Sequence, residues 1–212
     1  ANESGINSID NYFINQNIDL KEIKLKLDYE NSRKISYIHR IFNQLFYGPA
    51  LYEEIFNEKS QFSEKPLIDL DDIVLDSALM SKLKTRFANK ISTVTGRGNF
   101  AFSYSMKNFL DNFDIKNSVF LEDRPLNLAK PNPKSLIESI SGINSKCSLY
   151  IGDSMEDLMM VEKCKEHGYD VSFCGIYGSS DEPELKYELF QKNKASFILE
   201  SIQELPKALN LV

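Results

Sequence analysis

The stretch CSLYIGDSMEDLMMVEKCKEHG, residues 147–168, decides the reading of this chain. An apolar run, Leu149 to Ile151, stops at Gly152-Asp153, and a helical pattern begins immediately after. A short apolar run bounded by a turn signal and followed by a helix is one strand–helix unit. Glu156 and Asp157 fall in the first turn of that helix, where acids complement the helix dipole, and Ser154 or Asp153 can cap it. The cap accounts for Glu156 fully and for Asp157 in part. It accounts less well for Asp153. An acid on the last residue of a buried strand, after a glycine, is well placed to grip a hard cation such as Mg²⁺ through oxygen.

The same alternation extends in both directions. Downstream, DVSFCGIYG, DEPELKYELFQKN, SFILE and SIQELPKAL read as strand, helix, strand and helix. Upstream, ISTVTG (91–96) reads as a strand, FSYSMKNFLDNF as a helix, SVFLE (118–122) as a strand and PKSLIESISG as a helix. Strands alternating with helices predict parallel pairing and a three-layer, Rossmann-like α/β architecture. Ligands of such sheets sit outside the carboxyl ends of the strands.

Two further strand ends carry candidate residues. ISTVT ends at Thr95, followed by Gly96, Arg97 and Gly98. A hydroxyl, open backbone amides and a guanidinium suit an anion such as phosphate, although Thr-Gly supplies a helix cap equally well. Beyond SVFLE, Lys130 precedes Pro131-Asn132-Pro133. The prolines fix the backbone around it, so the lysine can serve as a point charge on a phosphate. The bland alternative is a solvated surface lysine.

Residues 1 to about 60 contain almost no β-type runs. NSRKISYIHRIFNQLFYG predicts a helix with Ile35, Ile38, Ile41, Phe42, Leu45 and Phe46 on one face, capped by Asn31 or Ser32 and ended by Gly48-Pro49. INSIDNYFINQN and DLKEIKLKL read as shorter helices before it, and ALYEEIFNE as one after it.

Composition narrows the function class. The 212 residues carry a net charge of −6, and a pI near 5.1 argues against a general polyanion binder such as a nucleic-acid-binding protein. No apolar run is long enough to span a bilayer, and ANESGINSID lacks the apolar stretch of a secretory signal. Three cysteines do not make a disulfide framework; a cytoplasmic protein is expected, with Cys147 and Cys174 as core residues of apolar strands. Cys164, His167 and Cys174 form no C-x-x-C pair, His39 sits in an amphipathic helix, and two histidines leave little material for a zinc site.

The ordered set ISTVT, KPNP and IGDSMED resembles the haloacid dehalogenase (HAD) superfamily, mostly phosphatases, from about residue 90 onward. Thr95 matches the family's second motif, Lys130 in K-P-x-P the third, and Asp153 with Asp157 the fourth, G-D-x-x-x-D. The resemblance implies a Mg²⁺-dependent phosphatase of a small phosphorylated metabolite. Thr95, with Gly96 and Arg97, would bind the phosphoryl group. Lys130 would neutralise its charge and that of the nucleophile. Asp153 would bind Mg²⁺, and Asp157 would hold the metal's shell or orient Lys130. Residues 1–66 would be a helical cap, and 67–212 the α/β core.

The family's first motif supplies a nucleophilic aspartate as D-x-D at a strand end. The only D-x-D here is Asp69 and Asp71, in EKPLIDLDDIVLDS. Two apolar residues after Pro66 are too few for a central strand, Asp72 and Ile73 depart from the motif, and the pattern Ile73, Leu79, Leu83, Phe87 makes Asp69 or Asp71 a helix cap. The expectation is therefore a nucleophile strand upstream of Ala1, or a binding module that lacks the nucleophile.

Overall fold

The computed structural model describes residues 36–211. The chain divides into two compact units, residues 1–72 and 73–212.

In the first unit, helix α1 spans Tyr37–Phe56 and breaks at Gly48, whose φ of 67° and ψ of 174° are non-helical. Only glycine takes this conformation cheaply, and a Cβ here would meet Pro66 Cγ at 2.6 Å. The break falls where Gly48-Pro49 was expected to end the helix. The chain then resumes as the expected second helix, with Pro49 at its start, where a missing N–H costs nothing.

The buried face of α1 differs from the expected one. Ile38 and Phe42 are 42% and 52% exposed, while Asn43, Gln44, Tyr47 and Tyr52 are buried. The returning segment covers that side: Gln44 Oε1 accepts the Gln61 N–H at 2.6 Å, and Ile68 is buried. A polar side chain that captures a backbone donor is as buriable as an apolar one, which periodicity alone cannot show. The two helices expected before α1, and the Asn31 or Ser32 cap, lie outside the described residues. Leu67–Leu70 is a single 3-10 turn, with Asp69 inside it and Asp71 at its end.

The second unit begins with α2, Ser77–Phe87. Asp76 caps it by accepting the Leu79 N–H at 2.8 Å. This corrects the expectation that Asp69 or Asp71 does so; the helix starts later than the apolar pattern from Ile73 suggested. Then come β1 (Val94–Thr95), α3 (Asn99–Ser105), β2 (Val119–Phe120), α4 (Lys134–Gly142), β3 (Ser148–Gly152), α5 (Met155–Glu166), β4 (Val171–Ile176), α6 (Pro183–Lys192), β5 (Phe197–Leu199) and α7 (Leu205–Ala208). Every pairing is parallel: β1 with β2, β3 with β4 and β4 with β5.

Helices cover both faces of these strands. On one side Val94, Val119, Val171 and Phe173 pack with Leu136 and Ile140 of α4, Leu158 and Val161 of α5 and Phe190 of α6. On the other, Cys174 packs with Leu79, Met80 and Leu83 of α2 and Leu205 of α7. Adjacent residues Phe173 and Cys174 point to opposite layers, as strand alternation requires. The protein is thus α/β, with parallel strands between helical layers. Cys147 is exposed and Cys174 buried, which corrects the expectation for Cys147: it precedes the first paired residue of β3.

The strands form two sheets, β1-β2 and β3-β4-β5, where one sheet was expected. The Val119 N–H donates to the Thr93 carbonyl at 2.7 Å. Main-chain groups alternate sides along a strand, so Val94 turns its carbonyl away from β2. That carbonyl accepts the Tyr150 hydroxyl at 3.0 Å. A side chain from β3 stands where a ladder bond would be. Among the described residues, no helix is long and apolar enough to cross a membrane.

Candidate phosphate site at the strand ends

Asp157 sits at the centre. Ser154 caps α5, and Asp157 completes a capping box with it. Asp157 Oδ2 accepts the Ser154 N–H at 3.1 Å and the Ser154 hydroxyl at 2.7 Å. Oδ1 accepts the Tyr150 hydroxyl at 3.0 Å and pairs with Lys130 Nζ at 2.7 Å. The carboxylate lies over Gly152, where a Cβ would meet Asp157 Cγ at 2.6 Å. That close approach is the physical reason for glycine ahead of Asp153.

The side chain of Asp157 is 3% exposed and that of Lys130 19%. Burial alone pushes the Asp157 carboxyl up, but the Lys130 charge and hydrogen bond, with those of Ser154 and Tyr150, outweigh it and hold the group below the usual carboxylate range. Burial and the neighbouring Asp157 and Asp153 charges push the Tyr150 phenol well up, so it stays protonated.

Lys130 is therefore no solvated surface lysine. Its loop is fixed on both sides. Ser135 Oγ donates to the Leu128 carbonyl at 3.1 Å, Asn132 Nδ2 donates to the Asn127 carbonyl at 2.7 Å, and Pro133 stands at the N-cap of α4. The Lys130-Pro131 peptide is cis.

Thr95 ends β1, and its hydroxyl oxygen accepts the Arg97 N–H at 3.3 Å. Arg97 Nη1 reaches Ser105 Oγ at 3.5 Å, and Gly96 is exposed. The loop is less open to an anion than its sequence suggested. The Gly98 N–H donates to Glu122 Oε2 at 2.8 Å, and the Asn99 N–H donates to Asp123 Oδ2 at 2.8 Å. These two carboxylates take the amides that open α3. Glu122 and Asp123 escaped the sequence reading; their signal was two acids directly after the apolar run of β2.

The structure thus joins Lys130 to Asp157, and Tyr150 joins that pair to Val94, the residue before Thr95. Asp153 stands exposed just past β3. Both Asp157 oxygens already accept two donors each, so the exposed Asp153 is the carboxylate of this pair that would meet a Mg²⁺. Among the described residues no three His, Cys, Asp or Glu side chains gather around a common point. A lone carboxylate would hold Mg²⁺ only as one oxygen ligand among several, the others being water.

No family model and no curated protein matches the chain. A crystal structure from Bacteroides fragilis described as a haloacid dehalogenase-like hydrolase is similar at a TM-score of 0.47 and 23% identity, over 60% of this chain and 56% of that one. The match thus takes in little more than half of that chain's length. Fold and site together define an α/β protein of parallel strands with a buried lysine–carboxylate pair at the strand ends.

Proposed function

We propose that residues 67–212 are a HAD-type core that binds the phosphoryl group of a small phosphorylated metabolite, with residues 1–66 as its helical cap, in a cytoplasmic Mg²⁺-dependent phosphatase. The observation that carries this reading is the Lys130–Asp157 pair at 2.7 Å. A charge held in place before the ligand arrives stabilises an oxyanion without reorganisation. Lys130 offers that charge, Thr95 a hydroxyl donor, and Arg97 a guanidinium a short loop away. Asp157 acts on this reading as the orienter of Lys130, because its oxygens are already engaged. Asp153 would hold Mg²⁺, which would offset the negative charge of the phosphoryl oxygens.

Hydrolysis through a phospho-enzyme needs a carboxylate that attacks phosphorus while the alkoxide leaves. Asp69 lies in a 3-10 turn and not at a strand end. A further parallel strand ending in D-x-D would supply such a carboxylate. Without that strand, the second reading applies: a module that binds a phosphorylated ligand and does not turn it over.

The test uses a chain that also carries an apolar strand ending in D-x-D. It should hydrolyse a generic phosphate ester in a Mg²⁺-dependent way. Asp153→Asn in that chain should raise the Mg²⁺ concentration needed for half-maximal rate by about tenfold or more, because an amide oxygen lacks the full charge a hard cation requires. Hydrolysis unaffected by either Mg²⁺ or Asp153→Asn would overturn the metal assignment.

A further inference from the structure

We propose that Tyr150 is a positioning residue for Lys130, acting through the Asp157 carboxylate that both of them contact; its role toward a ligand rests on the phosphate reading, whereas its geometry does not. Tyr150 lies in the middle of β3. Its side chain packs in the layer shared with Val94 and Leu158, on the face opposite Leu149 and Ile151. A phenylalanine would fill that volume equally well. The hydroxyl lies 3.0 Å from the Val94 carbonyl of the other sheet and 3.0 Å from Asp157 Oδ1. Lys130 Nζ shares that same oxygen at 2.7 Å and stands 5.7 Å from the centre of the Tyr150 ring, within reach of its π face.

The hydroxyl has one proton and faces two acceptors. An ionised carboxylate is the stronger acceptor, and Asp157 is held ionised. The Asp157 side chain is then fixed at both oxygens, Oδ2 by Ser154 and Oδ1 by Tyr150. A carboxylate that cannot rotate offers Lys130 one approach. When Lys130 turns toward an anion, the Tyr150 bond keeps the carboxylate in place for its return. The Val94 carbonyl, 3.0 Å away, is the second acceptor to which that proton can turn.

The experiment is residue-resolved acetylation of the intact chain by acetic anhydride, read by mass spectrometry, with exposed Lys165 and Lys192 as internal references. Tyr150→Phe should raise the labelling of Lys130 relative to these by up to about tenfold, the equivalent of one hydrogen bond to a charged group. Val161→Ala, a core truncation in the same apolar layer that removes none of these polar contacts, should leave that ratio unchanged. An unchanged Lys130 ratio in folded Tyr150→Phe, or the same rise in Val161→Ala, would overturn the proposal. A second reading avoids substitution altogether. In the unaltered chain, NMR should show a slowly exchanging Tyr150 hydroxyl proton with a cross-peak to the Lys130 ε protons, and its absence would also overturn the proposal. Inorganic phosphate should slow Lys130 labelling in the unaltered chain. If it does not, the phosphate reading falls while the Tyr150 result stands.

Discussion

Replacing Asp157 with alanine should destabilise the second unit by about 3 kcal/mol, near the lower end of the cost of removing one partner of a buried ion pair. The lower end applies because Lys130 keeps 19% of its side chain exposed and can turn partly to water. Three donors lose their acceptor at once: the Lys130 ammonium, the Ser154 N–H and the Ser154 hydroxyl. Tyr150 retains Val94. Asp157→Asn should cost less, because its amide oxygen can still accept in the capping box. The loss should depend on pH in a definite sense. The Asp157 carboxyl is held below its ordinary value of 3.8. Its contribution is therefore full above that value and disappears as pH falls through the lower, folded-state pKa. Denaturant melts of the parent and Asp157→Ala should differ most near neutral pH and converge in acid. A gap that persists or widens below that range would contradict the charge assignment.

The second large effect concerns turnover. On the phosphatase reading proposed above, the 212-residue chain should hydrolyse a generic phosphate ester at or near background, because that reading needs an attacking carboxylate at a strand end, whose loss costs several orders of magnitude, and Asp69 does not stand at one. Asp69→Asn should change nothing, since Asp69 lies in the 3-10 turn Leu67–Leu70. Lys130→Ala in a chain that carries a D-x-D strand should lower kcat by about a hundredfold or more, the usual worth of one preorganised charge at a transition state. Robust turnover by the 212-residue chain that survives Asp69→Asn would place the nucleophile elsewhere and refute this account.

The α/β alternation was legible because strand and helix carry different apolar periods, and each strand among the described residues falls within a run named from the sequence. Strand lengths were not legible. ISTVTG contributes only Val94–Thr95 and SVFLE only Val119–Phe120, since a strand exists only where it has a partner and partners are non-local. The split into two sheets was hidden for the same reason. Near the strand ends, the pairing of Asp157 with Lys130 was raised only by the family resemblance, whereas Ser154 was readable as a candidate cap of the helix after β3. Tyr150 was not, because within an apolar run a tyrosine looks like core until its hydroxyl finds acceptors on another strand. Glu122 and Asp123 were missed because their role is to occupy amides that the sequence left open for an anion. In the first unit, Gln44 replaced the expected apolar face because its bond to Gln61 spans residues that no local pattern connects.

The central claim is that the Lys130–Asp157 pair at the strand ends receives a phosphate. Calorimetric titration of inorganic phosphate into the 212-residue chain, beside Lys130→Ala, tests it without requiring turnover. The account predicts saturable one-to-one binding that weakens about tenfold or more in Lys130→Ala, as loss of a charged hydrogen-bond donor requires. No saturable binding by the parent chain, or equal binding by both, would contradict it.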